Sequence, residues 1–291
     1  MSENYIVLLT KAVIGFIILS INSVEGGVYM LTFFSQNVWN SNPCDFRIKL
    51  IRSLVSDFNA DICMFQEFGP YSVRNAKEPL HILMSDEYIE ACPDVSDKNY
   101  TPVFYKKDCF DVIDSGYLLY DGLNDADSKS VSWVVLKDKK NGNSFAVAST
   151  HFWWMAEKEE DFTQRLANVD QLKEVCDGIV AKHNVPVIVS GDFNNGKNSE
   201  QGEEPYKKML SIGFKDVRLI ADVTTDMMTH HKYPVQMPDD TFEKGEMPER
   251  NLDNIFVYGD FDVKAKMFDV LTSDKALTTS DHCPLIAKIE L

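Results

Sequence analysis

Apolar positions along this chain follow two periods. Residues 30–38 read as a strand that ends in Asn37. Phe46, Leu50, Leu54 and Phe58 then recur every four residues, with Ile51 and Val55 beside them, which predicts an amphipathic helix. Residues 61–65 form a short buried strand, ended by Gln66-Glu67. Residues 103–105 and 112–120 are expected to pair with each other. So are 130–136 and 144–152, joined by Lys139-Lys140-Asn141-Gly142, because Asn-Gly between apolar runs signals a hairpin. Phe162, Leu166, Val169, Leu172, Cys176 and Ile179 mark a second long helix. A strand at 185–189, a short helix at 206–210 and late strands at 255–258, 261–268 and 284–291 follow. Strands dominate, with helices between some of them, so two sheets packed face to face with helices outside are expected. The polar segment 221–251, rich in Met, His and Pro, is a long loop of the kind that is usually functional or mobile.

The chain has 291 residues, 44% hydrophobic and 25% charged, ordinary values for a soluble globular protein that needs no staples. Its formal net charge of -16, from 45 acids against 29 bases, changes the picture more. Long nucleic acids are held by basic faces that release counterions. No Lys/Arg-rich run exists here, so extended duplex DNA is set aside as a partner. Small phosphoesters or short nucleic acids remain, with a divalent cation to offset acid–phosphate repulsion. The six cysteines, Cys44, Cys63, Cys92, Cys109, Cys176 and Cys283, form no CxxC pair. Cys63 and Cys176 fall among apolar neighbours and read as buried thiols, which fits a reducing compartment.

The first 29 residues are read separately. Residues 5–21 are mostly apolar but interrupted by Lys11, with Glu3 before it and no clear cleavage site. Glu25-Gly26-Gly27-Val28-Tyr29-Met30 can be encoded by GAAGGAGGTGTATATATG, a bacterial ribosome-binding sequence just before an ATG. Translation from Met30 would make a cytoplasmic protein. A genuine leader would make a secreted or membrane-anchored one, with a membrane contact only in that case.

Candidate chemistry gathers at strand ends. Asn37 ends the first strand, Glu67 follows the second, and His151 stands near the end of the 144–152 strand. Asp192 and Asn194 follow Val187-Ile188-Val189-Ser190-Gly191, Asp253 precedes Ile255, and Asp281-His282 precede the last strand. Such groups can converge on one cleft. Carboxylate and amide oxygens hold Mg²⁺, a histidine activates water, and a carboxylate fixes its tautomer. Ser280-Asp281-His282 is no serine-hydrolase triad, because adjacent residues cannot adopt that geometry and no G-x-S-x-G elbow occurs.

In this order the motifs resemble those of the endonuclease/exonuclease/phosphatase superfamily, the fold of pancreatic-type deoxyribonuclease. They are Ser35-Gln36-Asn37-Val38, Phe65-Gln66-Glu67, Ser149-Thr150-His151, Gly191-Asp192-Phe193-Asn194, Leu252-Asp253-Asn254-Ile255-Phe256 and Ser280-Asp281-His282. The likeness spans residues 30–291 and implies a single α/β domain there, a four-layer α/β sandwich of two packed mixed β-sheets flanked by helices. It implies metal-dependent phosphoester cleavage with Mg²⁺, or Mn²⁺ in its place. Glu67 would be the principal metal ligand, with Asn37 and Asp281 close to the ion. His282 would be the general base, oriented by Asp253. Asp192 and Asn194 would position water and bind phosphate, and His151 would donate to a phosphoryl oxygen.

The histidine in Thr150-His151-Phe152-Trp153-Trp154 is similar to the deoxyribonuclease, sphingomyelinase and deadenylase-like branches. Abasic-site endonucleases usually carry a Tyr there. The Trp pair followed by Gln164-Arg165 is similar to uncharacterised bacterial members. Three further substrate contacts are expected with less to carry them. Trp154 could stack on a base or sugar, although core packing of one Trp and loop capping by the other is favoured. Lys129 could reach a phosphate, or be a solvated lysine. His231, within His230-His231-Lys232-Tyr233, could line the pocket, although exposed loop histidines are commoner. A monomeric Mg²⁺-dependent phosphodiesterase, nuclease or phosphatase is the leading expectation. An exported nuclease or sphingomyelinase-like lipid phosphodiesterase and a non-catalytic binding module on the same fold are the rivals.

Overall fold

The computed structural model describes residues 29–40, 45–69, 73–195, 204–225, 227–232, 234–236 and 242–291. The leader reading rests on residues outside this set, apart from Tyr29 and Met30, and Cys44 and Tyr233 also lie outside it. The chain divides into two compact units, Met1–Met30 and Leu31–Leu291. Among the described residues, no helix is long and apolar enough to cross a membrane.

The second unit carries fifteen strands among the described residues. They are β1 (Leu31–Asn37), β2 (Ile62–Gln66), β3 (Tyr88–Glu90), β4 (Val103–Lys106), β5 (Phe110–Leu119), β6 (Ser130–Asp138), β7 (Ser144–His151) and β8 (Val187–Asp192). There follow β9 (Lys215–Asp216), β10 (Val223–Thr224), β11 (Val235–Gln236), β12 (Phe242–Glu243), β13 (Asp253–Tyr258), β14 (Lys264–Val270) and β15 (Leu285–Glu290). Among the described residues the α-helices are α1 (Asp45–Asp57), α2 (Leu80–Met84), α3 (Glu159–His183), α4 (Glu204–Ser211) and α5 (Val217–Ile220).

Besides the small antiparallel pair β11–β12, there are two large sheets: one has seven strands in the order β10-β14-β15-β1-β2-β4-β3, and the other has six in the order β5-β6-β7-β8-β13-β9. Both are mixed. The parallel pairs β1–β2 and β7–β8 are bridged by α1 and α3, because a parallel pair needs a long crossover. Side chains alternate across each strand. On β1, Phe34 joins the cluster under α1, while Phe33 meets Phe145 of β7 edge to face at 6.3 Å between ring centroids. The two sheets therefore pack on each other, with α1 covering one outer face and α3 the other. This is the expected four-layer α/β sandwich.

Helix α3 begins where Asp161 accepts the Lys158 and Glu157 backbone N–H groups, at 3.0 and 3.1 Å. Glu159, Glu160 and Asp161 lie in its first turn and Lys182 and His183 in its last, complementing the helix dipole. It ends at Asn184 in the left-handed region (φ 52°), which asparagine tolerates better than most residues.

The expected hairpin of 130–136 with 144–152 is present as β6–β7. The expected pairing of 103–105 with 112–120 is not. β4 pairs with β2 and β3, whereas β5 pairs with β6 in the other sheet. Phe104 is drawn into the α1-side cluster, while Phe110 packs edge to face on Phe145, so neighbours in sequence enter different sheets.

Candidate active site

Three strands of the six-stranded sheet set one row of side chains. His151 of β7 pairs with Asp192 of β8, and Asp192 pairs with Asp253 of β13. Laterally opposed residues point to the same face of a sheet, so the three polar groups converge. The seven-stranded sheet brings the rest. Asn37 ends β1, Glu67 follows β2, and Asp281 and His282 lead into β15, which pairs with β1. Gln36 pins that turn: its Nε2 donates to Thr279 Oγ1 at 2.6 Å and to the His282 carbonyl at 3.1 Å. Ser280 Oγ donates to the Asn37 carbonyl at 2.7 Å, which gives that serine a structural task.

Asn37 joins the two sheets. Its Nδ2 donates to Glu67 Oε1 at 3.2 Å and to Asp192 Oδ2 at 3.0 Å. Its Oδ1 accepts the Trp39 backbone N–H, so in this arrangement the side chain acts as a donor between two carboxylates. Glu67 Oε2 accepts the Asn40 N–H at 3.0 Å. Glu67 is also one of the few non-glycine residues in the left-handed region (φ 55°), a strain of the kind that persists at functional sites.

His282 sits between two acids. Its Nδ1 lies 2.8 Å from Asp253 Oδ2 and its Nε2 lies 3.7 Å from Asp192 Oδ2. His151 Nε2 is 3.5 Å from the same Asp192 oxygen. Thr229 Oγ1 donates to Asp253 Oδ2 at 2.7 Å and accepts the N–H groups of Leu252 and Asp253, both at 3.0 Å. Asn194, left-handed at φ 52°, donates its backbone N–H to Asp192 Oδ1 and its Nδ2 to the Phe152 carbonyl.

Burial opposes charge throughout this row. It raises Asp253 despite the pull of His282, and raises Asp281 to about 6, with the Glu67 charge adding to the effect. Burial would raise Glu67 too, but the positive charges of Lys129 and His282 and the Asn37 N–H outweigh it, leaving that carboxyl low. Burial and the Lys129 charge lower His151 to about 4, so it is neutral near pH 7. Burial alone would lower His282, but the carboxylates of Asp253, Asp192 and Asp281 outweigh it and raise it well above the ordinary histidine range.

This donor set fits a divalent cation. Glu67 and Asp281 come from the seven-stranded sheet and Asp192 and Asp253 from the six-stranded one, and Asp253 Oδ1 is buried with no hydrogen-bond partner. Among the described residues two groups offer ligand atoms within 4.8 Å of one another: Asp192, Asp253 and His282, and His230, Asp281 and His282. Glu67 is in neither; it stands on the far side of Asn37.

Lys129 is not a solvated lysine. It is 4% exposed, paired with Asp125 at 3.2 Å, and lines a cavity of about 360 Å³ with Glu67, Asn40 and Trp154. Trp153 is buried and bonds Asp161 through its indole N–H, whereas Trp154 is exposed and bonds Asp125. His231 is not an exposed loop residue either. It is buried, its Nδ1 lies 2.6 Å from the Lys232 carbonyl, and it lines a smaller cavity of about 190 Å³ beside Asp281. The histidine against His282 is its neighbour His230, whose ring meets His282 edge to face at 4.8 Å. Sequence reasoning missed His230, Thr229 and Gln36. The doubled His230-His231 was visible, but not which ring turns inward.

A sequence profile of the Endonuclease/Exonuclease/phosphatase family matches residues 34–282. No curated protein sequence matches the chain. Among solved structures, an endonuclease/exonuclease/phosphatase protein of Bacteroides vulgatus is 24% identical, covering 90% of this chain and 99% of its own, with a TM-score of 0.68. A mannosyl-6-phosphatase of Bacteroides thetaiotaomicron is 21% identical over 90% of this chain and 100% of its own, with a TM-score of 0.68. The human nocturnin catalytic domain, bound to sulfate, is 18% identical over 89% and 94%, with a TM-score of 0.60. At these identities the structures speak for the fold, which hosts hydrolases. The profile spans both sheets and every motif that meets at their shared edge, and the chain belongs to the endonuclease/exonuclease/phosphatase family.

Proposed function

We propose that this protein is a divalent-cation-dependent phosphoester hydrolase in which water attacks phosphorus in line with the leaving group. The observation that carries the reading is His282, held at Nδ1 by Asp253 with Nε2 turned toward Asp192, inside a ring of carboxylates from both sheets. Glu67, Asp281 and Asn37 would stand around the cation, Mg²⁺ by the hardness of the donors and Mn²⁺ in its place. When bound, such a cation supplies positive charge that offsets the carboxylates and polarises a phosphoryl oxygen.

The residues divide the remaining work. With the carboxylate field offset, His282 loses the pull that keeps it protonated and takes a proton from water at Nε2. Asp253 fixes the tautomer and stabilises the imidazolium that forms. Thr229 holds Asp253. Asp192, anchored by the Asn194 backbone, orients the water. His151 is neutral and presents its Nε2 side to the cleft as a donor to a phosphoryl oxygen.

The substrate we propose is small or short, as the net charge of -16 disfavours extended duplex DNA. The cavity walled by Glu67, Lys129 and Trp154 would take the part of the substrate that does not react. The mannosyl-6-phosphatase among the structural relatives puts sugar phosphates first on a panel, before nucleotides and phosphodiesters. A monomer is sufficient for this site, and cytoplasmic placement follows if translation starts at Met30. Purified protein assayed on such a panel should turn over at least one member with Mg²⁺ and none with EDTA. Turnover that survives EDTA would overturn the reading.

A further inference from the structure

A second metal-binding set adjoins the carboxylates, and its donors differ in kind. His230 and His282 face each other across an isolated antiparallel bridge, and His230 bridges Arg250 on its other side. Residues opposed in such a bridge project to the same side, so the backbone itself holds the two imidazoles together. The rings meet at 4.8 Å between centroids, 82° apart. The bridge is tied on both flanks: Cys283 N–H donates to the Thr229 carbonyl at 2.7 Å and His231 N–H to the Asp281 carbonyl at 2.9 Å. Asp281 supplies the carboxylate, with His230 Nε2 at 3.9 Å from its Oδ2. All three ligand atoms lie within 4.8 Å of one another, and a cavity of about 190 Å³ lined by His230, His231 and Arg250 opens beside them.

We propose that His230, Asp281 and His282 form an inhibitory site for a borderline-soft transition metal such as Zn²⁺. Two imidazoles and one carboxylate suit Zn²⁺ or Co²⁺ far better than Mg²⁺, which prefers oxygen alone. Two ligands about 2.0–2.1 Å from one ion lie roughly 3.3 Å apart, so the 3.9 Å between His230 and Asp281 closes by a ring rotation. His282 Nδ1 is already held by Asp253, which leaves Nε2 to take the metal. That is the atom assigned above to water. A metal there excludes the proton, so hydrolysis stops. The binding stands on geometry alone; the inhibition rests on the role given to His282.

The test uses the full chain in saturating Mg²⁺, titrated with Co²⁺ and read by its visible absorption, with Zn²⁺ inhibition measured in parallel. The wild type should show nitrogen-ligated Co²⁺ bands and be inhibited by Zn²⁺. His230→Gln should weaken Co²⁺ binding at least tenfold and raise the inhibitory Zn²⁺ concentration by a similar factor, relative to its own zinc-free rate. Glu249→Gln, which changes the same cavity wall without removing a ligand, should behave as wild type and controls for misfolding. Unchanged Co²⁺ binding in His230→Gln overturns the site. Co²⁺ bound through His230 with no loss of hydrolysis overturns the inhibition and the role of His282, while the site stands.

Discussion

Asp253 stands directly opposite Asp192 in the β8–β13 ladder, and His282 reaches both of them, Asp253 at 2.8 Å and Asp192 at 3.7 Å. Two buried acids so close are tolerated because an imidazole lies between them. Asp253→Asn keeps the shape but replaces an acceptor oxygen with a donor, so His282 loses its held tautomer. We expect kcat to fall by about 10²-fold or more with little change in KM, checked by steady-state kinetics on whichever phosphoester proves to be turned over. An equal loss in KM alone would point to substrate binding instead.

Thr229 supports that pair from beneath. Its hydroxyl gives one hydrogen bond and receives two, all buried. Thr229→Val preserves the volume and leaves the Leu252 and Asp253 N–H groups without a partner. Urea unfolding should show a loss of about 1–3 kcal/mol.

Gly191 is where the β7–β8 ladder permits no side chain. A Cβ there would lie 2.0 Å from the Thr150 carbonyl oxygen. Gly191→Ala should push β8 from β7, displace Asp192 from His151 and cost about 3 kcal/mol, visible as a lowered Tm together with lost activity.

Much of this layout was legible from the pattern of apolar positions. The period of α1 and α3, the Asn-Gly turn between β6 and β7, and the acids and amides at strand ends were all readable. Short elements were not. β3 and α5 have only three and four residues, too few for a period to register. The partner of β4 was unreadable because pairing is decided by which core takes Phe104 and which takes Phe110. Lys129 looked solvated because its burial depends on Asp125 and Ser128, close in sequence but brought to it only by the turn before β6. His231 was preferred to His230 because a loop carries no alternation to say which ring faces His282.

The pH dependence of metal-free protein follows from Asp281. Burial and the Glu67 charge raise it from 3.8 to about 6 in the folded state. Between those values the folded chain holds more protons than the unfolded one, so this group favours folding below about pH 4 and loses that contribution as pH rises through about 6. Urea unfolding in EDTA should show this decline, and Mg²⁺ should abolish it by favouring the ionised carboxylate. A decline unaffected by Mg²⁺ would place the cation away from Asp281.

Burial also raises the thiol pKa of Cys63, Cys176 and Cys283, which keeps them as unreactive thiols. Alkylation of native protein followed by peptide mapping should leave these three unmodified until denaturant is added, with the less buried Cys109 reacting earlier.

The central claim is that carboxylates from both sheets and His282 together form a cation-dependent hydrolytic site. Its most direct test is turnover of bis-p-nitrophenyl phosphate and p-nitrophenyl phosphate by wild type, Glu67→Gln and His282→Asn, each with Mg²⁺ and with EDTA. The account predicts Mg²⁺-dependent release of nitrophenol by the wild type on at least one of them, lost in EDTA and reduced at least about 10²-fold in both variants. Full activity in either variant, or activity indifferent to EDTA, would contradict it.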